Sequence, residues 1–162
     1  IAKLSASRAD FDISPETMKI SNLTALRPGS KVNIEPALKP TGRIGGHFVL
    51  GHIDGTAKIK QIKRQASFTE ITFTAQPNLL SQLIPKGSIA VDGVSLTVAA
   101  LDQNAFTVAL IPQTLKETTL GSAKISDTVN VEIDIITKTV KKYLENILPK
   151  SDNLTVEKLK QL

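Results

Sequence analysis

The sequence predicts an all-β fold of two similar six-stranded barrels in tandem, the first incomplete, followed by an amphipathic C-terminal α-helix. Three observations lead to this class: an internal repeat, short strands separated by turn signals, and a change to helical spacing near the C-terminus. A length of 162 residues suits one ordinary domain or two very small ones. The hydrophobic content of 41% is typical of a globular protein.

The internal repeat has a period of 97 residues and no gap, and it aligns SPETMKISNL at 14–23 with IPQTLKETTL at 111–120. Nine of the 35 aligned positions are identical, where about two are expected from average residue usage. The identical pairs are Ala2/Ala99, Leu4/Leu101, Pro15/Pro112, Thr17/Thr114, Lys19/Lys116, Leu23/Leu120, Val32/Val129, Asn33/Asn130 and Glu35/Glu132. Because Ile1 aligns with Val98, in the middle of the second copy, we expect residues 1–41 to be the C-terminal half of a truncated first barrel.

The second copy, residues 42–135, has the pattern of about six short antiparallel strands. Strands are expected at 56–63, at 67–75, on both sides of Asp92-Gly93 within 89–98, at 105–111 and at 128–135. The dipeptide Asp92-Gly93 is favoured in type I′ hairpins. An open sheet of this size would expose its edges, so we expect the strands to close into a barrel.

Helical signals occur at three places. Short turns are expected at 77–83 and 112–118, with Pro112 at a first helical position and Gly121 as the stop. The spacing of apolar residues in 136–162 predicts an oligomerisation helix and tail. The apolar face of this helix consists of Ile136, Val140, Tyr143, Leu144, Ile147 and Leu148. The opposite face carries Lys138, Lys141, Lys142 and Glu145, and Pro149 ends the helix. The apolar face either covers its own barrel or joins copies of the chain. Residues 151–162 either add a turn or two or fray.

Composition excludes several classes of protein. No apolar run approaches the roughly 18 residues that span a bilayer, and the N-terminus lacks a signal-peptide pattern, so we expect a cytoplasmic protein without a membrane partner. The chain has no cysteine, which excludes disulfides and thiolate metal sites in these residues. A net charge of +5 with only 4% aromatic residues disfavours nucleic-acid binding, because bases need stacking platforms.

Both histidines, His47 and His52, lie in GGHFVLGHIDG at 45–55. Two histidines five apart on a strand point to opposite faces, so we expect no metal site. A histidine titrates near neutral pH and can act as a base, and flanking glycines let the backbone approach a ligand. The other interpretation is that both are hydrogen-bonded structural residues where the chain enters the second barrel; we prefer it for His47 and a functional role for His52.

Five stretches of the chain resemble the riboflavin synthase family: SPETMKISNL, GGHFVLGHIDG, PKGSIAVDGVSLTV, LIPQTLKETTLG and VNVEIDIITK. They occur in the family's order and cover residues 1 to about 148. The resemblance implies two Greek-key lumazine-binding barrels and a C-terminal helix that holds a homotrimer, in which the N-terminal barrel of one subunit faces the C-terminal barrel of its neighbour.

The implied reaction is a dismutation that needs no cofactor and no metal. One 6,7-dimethyl-8-ribityllumazine gives a four-carbon unit to a second, which yields riboflavin and 5-amino-6-ribitylamino-pyrimidinedione. The implied partners are this lumazine and riboflavin, with lumazine synthase as a further expected partner.

The resemblance also implies the site residues. In the second copy the family's ligand contacts fall on Gly51, His52, Ile53, Lys86, Ser95, Leu96, Thr97, Ala109, Leu110, Ile111, Pro112, Gln113, Thr114 and Asp134. In the first copy they fall on Asp12, Ile13, Ser14, Pro15, Glu16 and Thr17. His52 is the candidate catalytic base, with Ser95 assisting.

Simpler roles compete for several of these residues. Ser95 and Thr97, two apart on a strand, face one side and would form a polar pocket wall or merely a solvated face. Lys86-Gly87 would be a plain turn. Asp134 would either close the second pocket or cap the helix that follows it.

The chain also departs from the family's pattern. Gln113 stands where an acidic residue or histidine is common, and the Cys-Leu-Thr-like stretch with the first barrel's nucleophile should precede Ile1. We therefore expect a C-terminal pocket without a complete active site.

The alternative function is that of the bioluminescence antenna proteins, which share the double barrel but bind one chromophore without turnover. A third option, a nucleic-acid-binding barrel, is disfavoured by the few aromatic residues.

Overall fold

One closed barrel of six antiparallel strands forms the centre of the molecule in a computed structural model, which describes residues 1–147. The expectations for Leu148, Pro149 and residues 151–162 lie outside the described residues. The barrel strands are β3 (Gly55–Arg64), β4 (Thr69–Ala75), β5 (Ser88–Val91), β6 (Val94–Leu101), β7 (Ala105–Leu110) and β8 (Thr128–Ile133). Around the barrel their order is β3-β4-β7-β6-β5-β8, which closes on β3. All predicted strands of the second copy are confirmed, with ends that shift by a few residues.

The hairpin between β5 and β6 turns at Asp92-Gly93, as the sequence predicts. Both residues have positive φ, 45° and 79°, which a type I′ turn requires. Val91 pairs with Val94 across this turn. The dipeptide therefore fixes the register that aligns the outer-face residues of β5 and β6.

The barrel is filled by one side of each strand. Phe73 and Phe106, both fully buried, stack with ring centroids 5.0 Å apart. Around them pack aliphatic side chains from all six strands, with Leu79, Leu80, Leu83 and Leu120 at its periphery. The period-2 alternation in the sequence thus places apolar residues inside the barrel and polar residues outside it.

Three short segments interrupt the strands of the second copy: α2 (Pro77–Leu80), α3 (Pro112–Glu117) and a 3₁₀ turn (Thr119–Ser122). Pro112 opens α3 as expected. The expectation that Gly121 stops this helix was wrong, because α3 ends at Glu117 and Thr118 is already extended. Gly121 lies in the 3₁₀ turn, where a Cβ atom would overlap the carbonyl oxygen of Leu115. The close approach of two backbone segments explains this glycine.

The first copy repeats part of this structure at the spacing of the sequence repeat. It contains β1 (Lys3–Leu4), β2 (Ala9–Asp10), α1 (Pro15–Ile20) and a 3₁₀ turn (Asn22–Ala25). Each of the two helical segments lies 97 residues before its counterpart, α3 or the 3₁₀ turn of the second copy. Gly29 and its counterpart Ser126 both have positive φ, 89° and 76°. The structural repeat is therefore confirmed, whereas the first copy contributes only a two-stranded sheet rather than a second closed barrel.

Two asparagines at equivalent positions join the copies. The backbone N–H of Asn22 donates to Oδ1 of Asn130 at 2.7 Å, and the backbone N–H of Thr119 donates to Oδ1 of Asn33 at 2.9 Å. Asn22 corresponds to Thr119 and Asn33 to Asn130 in the repeat. The two copies therefore make the same contact with each other, as expected for a local twofold relation.

The C-terminal helix α4 (Ile135–Ile147) follows the last barrel strand, and none of its residues is buried. Its apolar face is about half exposed or more, at Ile136, Val140, Tyr143, Leu144 and Ile147. This helix therefore does not bury its apolar face on its own barrel. Within residues 1–147, no helix is long and apolar enough to cross a membrane.

Candidate functional site

The chain enters the second barrel by crossing the outside of three strands. We call residues 46–51 the crossing segment. In the sheet beneath it, Glu132 of β8 pairs with Ala90 of β5, which pairs with Ser95 of β6. Ala90 is only 1% exposed although it lies outside the cluster of side chains that fills the barrel. The crossing segment therefore lies over the row Glu132–Ala90–Ser95 and contacts both of its ends.

The contact at one end joins His47 to Ser95. The imidazole Nδ1 lies 2.8 Å from the Ser95 hydroxyl, and the backbone N–H of His47 points to the same oxygen at 3.4 Å. A Cβ atom on Gly46 would overlap the Ser95 side chain, so the approach of the segment requires a glycine there. The Nε2 atom of His47 is buried and has no hydrogen-bond partner in the described structure.

The contact at the other end is made by Glu132, which is 3% exposed. Its two carboxylate oxygens accept hydrogen bonds from the backbone N–H groups of Leu50, at 2.8 Å, and Gly51, at 3.0 Å. Gly51 has a φ of 80°, which favours glycine. The sequence analysis missed Glu132, because a glutamate between core-facing Val131 and Ile133 reads as an exposed outer-face residue. Its identity with Glu35 in the repeat and its place in the stretch VNVEIDIITK were the signals available.

Asp54 fixes the chain just after the contacts predicted at 51–53. Its N–H donates to the carbonyl of Val131 at 2.9 Å, and its Oδ2 accepts the N–H of Ile133 at 2.8 Å. The same carboxylate pairs with Nζ of Lys138 on α4 at 2.9 Å. Gly51–Ile53 are thus held between Glu132 and Asp54, two carboxylates bonded to backbone N–H groups.

The predicted contacts on the strands lie close together on the barrel. Ser95 and Thr97 alternate with less exposed residues, so both face outward as expected. Val98 pairs with Val108, and continuing this register places Ala109 and Leu110 beside Thr97 and Leu96. The N–H of Lys86, in a turn at φ 66°, donates to the carbonyl of Val98 at 2.8 Å. Ser95, Thr97 and Ala109 are therefore neighbours on the outer side of β6 and β7, beside the turn at Lys86, and we call this the β6–β7 surface. Leu110, which is 1% exposed, and Leu96 instead face the barrel core.

The remaining predicted contacts of the second copy lie at the ends of strands. Ile111 is 60% exposed and precedes α3, whose first turn contains Pro112, Gln113 and Thr114. Asp134 accepts a hydrogen bond from the N–H of Ile136 at 2.9 Å. This bond is that of a helix cap, which was one of the two roles expected for Asp134.

His52 occupies a different place from His47. Its side chain is exposed, and it is His47 that the structure brings to Ser95. Ser95 and His52 share no hydrogen bond in the described residues, and the assistance of Ser95 in catalysis stays a prediction. The role of His52 as a base stays a prediction.

The predicted contacts of the first copy, Asp12 to Thr17, lie on the exposed entry to α1. Their hydrogen bonds are local: the Ser14 hydroxyl accepts the N–H of Thr17 at 3.1 Å and lies 2.9 Å from the Thr17 hydroxyl. Among the described residues, no hydrogen bond joins them to the β6–β7 surface. They would form a separate surface in the first copy.

Two cavities border neither set of predicted contacts. One of about 260 Å³ is lined by Ile62, Arg64, Leu115 and Leu120, among others, and one of about 230 Å³ lies between the copies beside Asn33 and Asp92. Burial raises the pKa of Asp92, against the opposing effect of hydrogen bonds from Asn130 and Asn22. Among residues 1–147, no group of three His, Asp or Glu side chains could hold a metal ion.

Comparison with known proteins gives three findings. A family model described as the lumazine binding domain matches residues 50–134. The riboflavin synthase of Actinobacillus pleuropneumoniae is 42% identical, with 99% of this chain and 76% of that protein covered. The riboflavin synthase of Escherichia coli (strain K12) is 38% identical, covering 94% of this chain and 72% of that protein.

Solved structures share the fold at lower identity. A crystal structure of LumP complexed with 6,7-dimethyl-8-(1'-D-ribityl) lumazine has a TM-score of 0.65 at 20% identity, covering 72% of this chain and 63% of that one. LumP complexed with riboflavin also gives 0.65, at 22% identity, covering 73% and 64%. At this level of sequence identity, the likeness to these structures shows a shared fold alone.

Proposed function

This chain belongs to the riboflavin synthase family, and on that premise we propose that it is a transferase that converts two 6,7-dimethyl-8-ribityllumazine molecules into riboflavin and a ribitylamino-pyrimidinedione. The observation that carries the proposal is that the matched domain, 50–134, is one closed barrel that contains all the predicted second-copy contacts. The relatives named riboflavin synthase match almost the whole chain as well.

The β6–β7 surface suits a flat heterocycle with a polyol chain. Such a ligand needs backbone groups for the ring edges and hydroxyl and ammonium groups for its carbonyls and ribityl oxygens. Ser95 and Thr97 supply outward hydroxyls, and Lys86 supplies an exposed ammonium group at a neighbouring turn. Gly51–Ile53 supply backbone that Glu132 and Asp54 hold in place.

The chemistry needs a group that removes a proton from the acidic C7 methyl of the lumazine. His52 is exposed, and the unprotonated nitrogen of a neutral imidazole can accept this proton. Ser95 would hydrogen-bond the ring or its adding nucleophile. These roles, together with the ligand contacts assigned above, are part of the proposal.

The first copy would complete a second, similar barrel. Five of its exposed apolar residues align with buried core residues of the second copy. The pairs are Ile1 with Val98, Phe11 with Val108, Ile13 with Leu110, Val32 with Val129, and Ile34 with Val131. Apolar side chains at core positions need further strands to cover them. We assign residues 1–41 to this first barrel, with its lumazine contacts at Asp12–Thr17, residues 42–135 to the second, and 136–162 to the oligomerisation helix and tail.

The exposed apolar face of α4 supports a homotrimer, in which this face packs against copies of itself. An active site shared between barrels of neighbouring subunits would make such assembly necessary for turnover. Association with lumazine synthase and a cytoplasmic location stay predictions.

Ligand binding and turnover test the proposal separately. Titrating the chain into riboflavin should quench the flavin fluorescence, because the barrel carries the second-copy contacts. Unchanged fluorescence at near-millimolar protein would contradict the assignment of this surface.

Turnover should be measured on a version extended by an upstream half-barrel, with the lumazine alone and no added metal. His52→Ala and Ser95→Ala should lower kcat more than they weaken ligand binding, as expected for groups that act mainly in the transition state. Ser81→Ala, an exposed serine at the end of α2, is the matched control. Full turnover by both variants would place the chemistry elsewhere, and binding without turnover by the unchanged extended protein would favour the antenna function.

A further inference from the structure

The crossing segment joins two predicted ligand contacts that lie on different strands. One end meets Ser95 through His47, and the other presents Gly51 through Glu132. Residues 47 and 51 are four apart, so a shift of either end would move the other. The position of the segment thus couples the Ser95 hydroxyl to the backbone at Gly51.

Glu132 holds the Leu50–Gly51 end of the crossing segment through two hydrogen bonds to backbone N–H groups. A buried carboxylate is unfavourable unless its oxygens are hydrogen-bonded, and here two backbone N–H groups supply these bonds. The bonds span 82 and 81 residues of sequence. Losing the carboxylate would leave the N–H groups of Leu50 and Gly51 without their acceptors beneath the segment.

His47 holds the other end with one nitrogen. Its Nδ1 bonds the Ser95 hydroxyl, which fixes the direction of that hydroxyl, while the Nε2 atom is buried rather than directed to solvent. The side chain therefore lies between the segment and the barrel. This placement suits a residue that orients Ser95 better than one that contacts a ligand itself.

We infer that Glu132 and His47 are positioning residues, which hold the crossing segment on the barrel and thereby set the geometry of Gly51 and Ser95 for the lumazine or flavin ring. The inference rests on the proposed function. It adds two residues that act through others and assigns His47 a different role from that of His52.

The test measures riboflavin binding by fluorescence quenching for variants of the chain. Glu132→Gln replaces one acceptor oxygen with an amide donor, so it should weaken binding about tenfold, the loss that corresponds to one hydrogen bond to a charged group. Glu35→Gln is the matched control, because Glu35 is the repeat counterpart of Glu132 and is exposed. Hydrogen exchange of the Leu50 and Gly51 amides should accelerate in Glu132→Gln alone.

His47 is tested by rescue. His47→Ala should weaken binding severalfold, whereas His47→Asn should restore most of it, because the asparagine side chain can bond Ser95 from the position of Nδ1. The comparison of His47→Ala with His47→Asn also tests the inference if Glu132→Gln fails to fold. The imidazole resonance of His47 is readily assigned by NMR, because the chain has two histidines, and it should shift in Ser95→Ala.

Each outcome supports or overturns the inference. Unchanged binding by a folded Glu132→Gln, or equal binding by His47→Ala and His47→Asn, overturns it while leaving the proposed function intact. If the unchanged chain does not bind riboflavin, the proposed function fails and the inference with it. Weakened binding in Glu132→Gln with an unaltered Glu35→Gln supports it.

Discussion

Replacing Leu144 and Ile147 with aspartate should dissociate the protein into folded monomers. These residues lie on the apolar face of α4 and are 47% and 45% exposed in the single chain. Full burial of a leucine or isoleucine side chain stabilises by about 1.5–3 kcal/mol, so the exposed half leaves roughly 1 kcal/mol per residue available to association. For two residues in each of three subunits, the loss is about 6 kcal/mol before any desolvation of the new carboxylates is counted.

This loss corresponds to a decrease of roughly four orders of magnitude in the association constant of the proposed trimer, since every 1.4 kcal/mol is tenfold. The stability of the monomer should change far less. No residue of α4 is buried, so the cost is confined to helix propensity, at most about 0.7 kcal/mol per residue, and to unfavourable carboxylates near the helix C-terminus.

Multi-angle light scattering should report the trimer for the unchanged protein and the monomer for the double variant, both with β-type circular dichroism. Lys142→Asp with Glu145→Asp is the matched control, because it places two aspartates at the same spacing on the opposite face. A trimer mass for the Leu144→Asp/Ile147→Asp protein would show that α4 is not the contact. Loss of the β-type signal would show that the helix stabilises its own barrel.

Three further substitutions test the fold and the site. Phe73→Ala should lower the free energy of unfolding by about 3–5 kcal/mol in guanidinium titrations, because Phe73 is fully buried against Phe106, whereas Phe11→Ala, at an exposed position, should change it little. Burial raises the pKa of Asp92, so the folded state binds its proton more tightly than the unfolded state does. The free energy of unfolding should therefore fall as the pH rises from the ordinary pKa of 3.8 through the raised pKa. Asp92→Asn should remove this pH dependence in unfolding curves measured across acidic pH. Gly46→Ala should weaken riboflavin binding, because the added Cβ would overlap Ser95. Gly45→Ala should bind normally, because a Cβ at Gly45 meets no atom within 4 Å. Equal affinities of the two variants would contradict the close approach of the crossing segment to Ser95.

Local patterns in the sequence were enough to determine most of the barrel. Alternation and the Asp92-Gly93 turn set the strands and their hairpin, because side-chain period and backbone conformation are decided by neighbours in the chain. The repeat correctly indicated that α1 has a counterpart in α3. Gly121 was the exception, since the close backbone contact that requires it forms only when the turn after α3 folds back on Leu115.

The site depended on tertiary structure to a greater degree. The sequence placed Ser95 and Thr97 on one face of a strand, but it could not show that His47 rather than His52 meets Ser95, because the two residues of that contact are 48 apart. Nor could it show that Glu132 is buried, since its position in the strand predicts the outer face and only the segment crossing over that face removes it from water. Period and propensity act between residues near in sequence, whereas the partners of a buried polar group are chosen by strands that meet only when the barrel closes.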